Sequence, residues 1–184
     1  MVVRVENLSK IAEELERQEI INAGALSNTE YAKLLAIYLY KNDLISAKFL
    51  WKRIPLATKS ALTELEFIWR VGKAMRKRDY PEVYTALRFS WSAEIMPIMQ
   101  MVEEEIRKNT VILIGKSYSS LALSTLGKYV GYDVQNTKNL ATQHGWTFDD
   151  TYVFPTPVAE EVQDNRGDFN AFKKLTDSIS FLEN

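Results

Sequence analysis

The stretch Leu50-Trp51-Lys52-Arg53-Ile54-Pro55-Leu56-Ala57-Thr58-Lys59-Ser60 sets a tryptophan against two cations, with a third shortly after. Interleaved aromatic and basic residues can form a nucleic-acid surface. The same residues can also end a helix that buries its tryptophan and leaves its charges in water. Helical phase separates the two readings. At about 100° per residue, Trp51 falls on the face of Leu44 and Ala47, while Arg53 points nearly the opposite way. Pro55 disfavours helical geometry at Ile54 and stops the helix there. Lys52 and Arg53 then occupy the last turn, where cations suit the helix macrodipole. The stretch reads as a packing joint between helices.

Working outward, the helical pattern extends in both directions. Residues 4 to 18 place Leu8, Ile11, Ala12 and Leu15 at helical spacing, and Asn22-Ala23-Gly24 breaks it. Asn28 or Thr29 is the expected cap of a second helix carrying Tyr31, Leu34, Leu35, Tyr38 and Leu39 on one face. Asn42-Asp43 reads as a turn plus a cap. Downstream, Lys59-Ser60 opens a helix whose expected buried face is Leu62, Leu65, Ile68, Trp69 and Gly72. Glu66, Arg70, Lys73 and Lys77 form its charged strip, with Glu66 four residues before Arg70. Asp79 caps a short helix with Pro81 early in it. Ser92 or Glu94 begins a longer one with the stripe Ile95, Ile98, Met99, Val102 and Ile106, and Pro97 belongs in its first turn. "KNDLISAKFLW" from Lys41 aligns with "KRDYPEVYTAL" from Lys77, 36 positions later. Such a period points to stacked helical hairpins of tetratricopeptide-like type.

Composition shifts near Asn109-Thr110. An apolar, β-branched start gives way to two short helical segments. "TFDDTYVFPTP" then reads as a small hairpin around an Asp-Asp turn. Helix, turn, helix and hairpin is the order of a winged helix. The expected fold is mainly α: a helical-repeat region over 1–109, a winged-helix subdomain over 110–158, a connector over 159–167 and a C-terminal helix over 168–184. That last helix sets Phe172, Leu175, Ile179 and Leu182 on one stripe, which either packs back on its own domain or enters a bundle with other chains.

Charge and chemistry exclude several functions. The 184 residues carry 23 Lys and Arg against 24 Asp and Glu, so no global field favours nucleic acid or anionic membrane. No cysteine is present, which removes disulfides and thiolate chemistry and fits an intracellular chain. The one histidine, His144, rules out a site needing two imidazoles, and no motif supplies it with a catalytic partner. "GKS" at Gly115 lacks the loop of a phosphate-binding motif. No apolar run approaches the roughly 20 residues of a membrane span, and the opening "MVVRVENLSK" lacks the pattern of a secretory signal. The winged helix invites a DNA reading, but Lys116, Lys128 and Lys138 are balanced by Asp133, Asp149 and Asp150. Arg70, Lys73, Arg76, Lys77 and Arg78 are the strongest local charge bias, either a solvated face or a contact for an acidic partner. The strand Tyr152-Val153-Phe154 is expected at a sheet edge that another chain could extend.

The chain resembles the family of the eighth and smallest subunits of the COP-nine signalosome, built on the PCI domain. Similarity is densest from Leu50 to Met99, through Leu50-Trp51-Lys52-Arg53-Ile54-Pro55, Ile68-Trp69, Val71-Gly72, Arg78-Asp79, Trp91-Ser92 and Pro97-Ile98-Met99. It resumes at Tyr118, Gly145-Trp146 and Leu175-Thr176-Asp177, and ends in Phe181-Leu182-Glu183-Asn184. From Leu121 to Asn139 the match is poor, and the connector before the last helix is short for the family. The resemblance implies helical repeats, a winged helix that associates edge to edge with those of sibling subunits, and a C-terminal helix that joins their bundle. It implies a non-catalytic scaffold, without cofactor, in the nucleus and cytoplasm. The complex it belongs to would remove a ubiquitin-like modifier from cullin-RING ubiquitin ligases, with the zinc isopeptidase in a different subunit. The alternative is a PCI-type nucleic-acid or translation-factor module using residues 70–78.

Overall fold

The computed structural model describes residues 5–21, 26–61 and 63–157. Among them the order is α1 (Val5–Ile21), α2 (Asn28–Tyr40), α3 (Leu44–Arg53), α4 (Leu56–Ala61), α5 (Thr63–Lys77), α6 (Tyr80–Leu87) and α7 (Met96–Ser117). Then come β1 (Leu121–Ala122), α8 (Leu123–Val130), α9 (Val134–Gln143), β2 (Thr147–Phe148) and β3 (Tyr152–Phe154). The mainly α expectation holds, and so does the hairpin.

Capping side chains set four of the described helix starts. Asp43 accepts from the Ser46 amide, Asp79 from Glu82 and Asp133 from Asn136. α2 starts one residue earlier than expected. Ser27, not Asn28 or Thr29, is its cap, because Ser27 and Glu30 close a reciprocal capping box. α7 begins at Met96 after a turn in which Ile95 and Met96 donate to the Ser92 carbonyl, so Pro97 does lie in its first turn. Pro55 has two roles. It ends α3, with Ile54 at ψ 128, and its carbonyl accepts from Lys59 within α4, a short helix the sequence did not announce. The helix expected from Lys59 is α5, which starts at Thr63, and Leu62 of its expected face lies outside the described residues.

The 36-residue repeat is a repeated turn. Asn42 donates to the Leu39 carbonyl at 3.0 Å and Asp43 to Tyr38 at 2.9 Å. Arg78 donates to Met75 at 3.0 Å and Asp79 to Ala74 at 3.1 Å. Each is a Schellman closure, with Asn42 at φ 56 and Arg78 at φ 57, followed by an aspartate cap. α2–α3 and α5–α6 are therefore joined by the same turn.

α2 packs against α1, α3, α5 and α7. Tyr31, Ala32 and the run Leu34 to Leu39 are all buried, so the helix is enclosed on more sides than a single apolar stripe implies. Trp51 is half-buried and stacks on Trp69 at 5.5 Å between centroids, with Lys59 4.9 Å from its ring centre. Arg53 does more than complement a helix end. Its guanidinium grips Glu19 of α1 through Nε at 3.0 Å and Nη2 at 2.8 Å. That pairing, and burial second to it in size and opposite in sign, leave Arg53 above its ordinary titration range.

The second apolar cluster gathers Val111, Ile114, Leu121, Leu126, Leu140, Trp146 and Val153. α7 runs unbroken through both clusters, and the expected division at 109/110 falls between Ile106 of the first and Val111 of the second. α7, β1, α8, α9 and the β2–β3 hairpin follow the winged-helix order. The two parts meet where Gly131, at φ 73, lies against the Tyr84 ring. There Arg107 reaches the Val130 carbonyl at 3.0 Å and stands 4.2 Å from the Tyr132 ring centre.

Candidate protein-contact surfaces

Within residues 5–21, 26–61 and 63–157 the chemistry-bearing groups do not converge. Among the described residues, no cluster of His, Asp and Glu is placed to hold a metal ion. His144 is exposed at the C-cap of α9, near Trp146, which is where a helix-end histidine was expected. Gly115 of "GKS" is buried inside α7. No helix of the described residues is long and apolar enough to cross a membrane. What remains is surface.

The small sheet has the order β1–β3–β2. Tyr152, Val153 and Phe154 therefore form the central strand. They are not the edge. Val153 pairs with Leu121 on one side and Phe148 on the other, and its side chain is fully buried. The sequence hid this because β1 is two residues long and carries no periodic signal. The outer strand of the hairpin is β2. Asp149 donates to the Tyr152 carbonyl, and pair alternation then turns the backbone N–H and C=O of Phe148 away from β3. Asp149 also holds the turn, its carboxylate accepting from Thr151 and Tyr152, and these bonds keep it below the usual carboxylate range. The rings of Phe148, Tyr152 and Phe154 remain exposed beside this edge.

The basic stretch is sorted by the fold. Arg70 does not pair with Glu66 along α5 but with Glu82 on α6, and it stands over the Phe67 ring. Lys73 and Lys77 face solvent. Arg76 and Arg78 line a cavity of about 480 Å³ between the two repeated turns. α3 also exposes Ile45 and Phe49, four residues apart on its outer face, which a one-sided stripe does not reveal. The C-terminal stripe Phe172, Leu175, Ile179 and Leu182 lies outside the described residues.

Comparison with known proteins gives a consistent result. A family model described as the CSN8/PSMD8/EIF3K family matches residues 25–165. A Danio rerio protein named COP9 signalosome complex subunit 8 is 33% identical over all of this chain and 98% of its own length. The Xenopus tropicalis protein of that name is 34% identical over 97% of this chain and 94% of its own. The Dictyostelium discoideum one is 28% identical over 99% and 94%.

Proposed function

The chain belongs to the CSN8/PSMD8/EIF3K family, and from that membership we propose that it is a non-catalytic scaffold subunit of a COP9 signalosome. The observation that carries the reading is end-to-end similarity to proteins named as subunit 8 of that complex. In this reading the complex removes a ubiquitin-like modifier from cullins and so regulates cullin-RING ubiquitin ligases, in nucleus and cytoplasm. This chain contributes placement. The fold agrees with such a role: helical hairpins lead into a winged helix, Asp43, Asp79 and Asp133 serve as caps, and Arg53 and Arg70 link neighbouring helices.

Two surfaces carry the placement. One is the apolar stripe Phe172, Leu175, Ile179 and Leu182, which joins a helical bundle with sibling subunits. The other is the winged-helix edge, moved from β3 to the outward backbone of Phe148 on β2, with Tyr152 and Phe154 beside it. The test is co-purification of sibling subunits with tagged variants. Leu175→Glu with Ile179→Glu should lose them while the isolated subunit stays folded. Phe148→Pro should weaken incorporation by removing one outward N–H. Full recovery of siblings by both variants refutes the two surfaces.

A further inference from the structure

The cavity between the two repeated turns combines three features. At about 480 Å³ it has the size of a ligand site. Its lining is mixed: the core residues Leu39, Val83 and Ile106 lie beneath it, Asn42 and Asn109 are polar, and Leu113 stands exposed at its rim. Its wall carries Arg76 and Arg78, and neither has a carboxylate partner among the described residues. Arg70, in the same basic stretch, is by contrast taken up by Glu82. The one carboxylate lining the cavity, Glu105, accepts from the neutral Asn109 amide at 3.1 Å and keeps its charge, so the two arginines outnumber it by one.

The backbone of Arg78 sharpens the point. It lies at φ 57, the left-handed position that closes a Schellman turn. Glycine occupies that position without steric cost, and asparagine, present at the equivalent Asn42, tolerates it. An arginine there is strained. A strained residue whose exposed side chain lines a cavity, with no internal anion beside it, leaves that charge available to an external one.

We propose that this cavity docks an acidic peptide segment of a partner protein. An Asp or Glu carboxylate sits between Arg76 and Arg78, and a neighbouring Leu or Phe covers the floor. The inference rests on reading the basic stretch as a protein contact, and it narrows five cations to two.

The test uses the full chain and fluorescence anisotropy. The probes are short labelled peptides carrying Asp and Glu around one Leu or Phe, each matched to an Asn and Gln version. The acidic set should bind more tightly. Arg78→Gly should weaken that binding about tenfold, a loss of one charged contact, while the urea midpoint holds or rises as strain is relieved. Lys73→Glu with Lys77→Glu, outside the cavity, should have a much smaller effect. Four results overturn the proposal: no preference for acidic over neutral peptides, unchanged binding by Arg78→Gly, equal loss in the lysine variant, or tighter binding of a labelled oligouridylate than of any peptide. Co-purification of siblings is read separately on the same variants, so failure of the assembly reading shows there and not in the anisotropy.

Discussion

Replacing Gly131 with alanine should destabilise the chain far more than replacing Gly145, although the two backbones are nearly alike. Gly131 has φ 73 and Gly145 φ 68, so each alanine carries the left-handed penalty of about 1–2 kcal/mol. The surroundings differ. A Cβ on Gly145 meets nothing within 4 Å, whereas one on Gly131 lies 2.5–2.7 Å from Cγ, Cδ1 and Cδ2 of Tyr84. Carbon contacts settle near 3.5–4.0 Å, so the ring must retreat by about 1 Å. It has little room, being 6% exposed with the Arg107 guanidinium over its face. Overpacking of that kind adds about 1–3 kcal/mol. The expected losses are then about 2–5 kcal/mol for Gly131→Ala and about 1–2 kcal/mol for Gly145→Ala, from these two sources together. Urea titrations that yield midpoint and slope separate stability from a change in the unfolded state. Tyr84→Ala in the Gly131→Ala background should be markedly non-additive, recovering part of the clash. Equal losses at the two glycines, or strict additivity with Tyr84→Ala, would refute the joint described here.

Two further outcomes follow from the same geometry. Arg53→Ala should cost about 1–2 kcal/mol, less than a fully buried pair, because the arginine side chain is 52% exposed while Glu19 is 10% exposed and left unpaired. A loss no larger than that of Lys52→Ala in the same urea assay would show the α1–α3 link to be inert. The Ser46 hydroxyl and amide hold the Asp43 carboxyl below its usual range. A depressed folded value means that this stabilisation is complete above the unfolded carboxylate's value and fades as pH falls through the folded one. Ser46→Ala should therefore lose stability at neutral pH and converge on the parent in acid. A difference independent of pH would remove Asp43 as its cause.

The local elements of this fold were legible because their causes are local. Asp43, Asp79 and Pro55 act within a few residues, and each is a hydrogen-bond partner or a steric block that the neighbouring sequence displays. The repeated turn shows itself the same way, as Lys41-Asn42-Asp43 and Lys77-Arg78-Asp79. Ser27 was legible too, through Ser-x-x-Glu, although the adjacent Asn28 and Thr29 compete for the same role.

By itself, then, the sequence determined the Asp43 and Asp79 caps and the stop at Pro55, that Trp51 packs toward the core, and that a hairpin turns at Asp149. Only the tertiary structure decided what meets across distance. Arg53 finds Glu19 34 residues away, Arg70 chooses Glu82 over Glu66, and Tyr152 to Phe154 become the middle strand because two residues at Leu121 and Ala122 return to pair with them. Arg76 and Arg78 become wall residues of one cavity only when the two hairpins stack. Helical phase and capping are set by a chain's own geometry, whereas partners for charges and strand edges are set by packing, which a short window of residues does not contain.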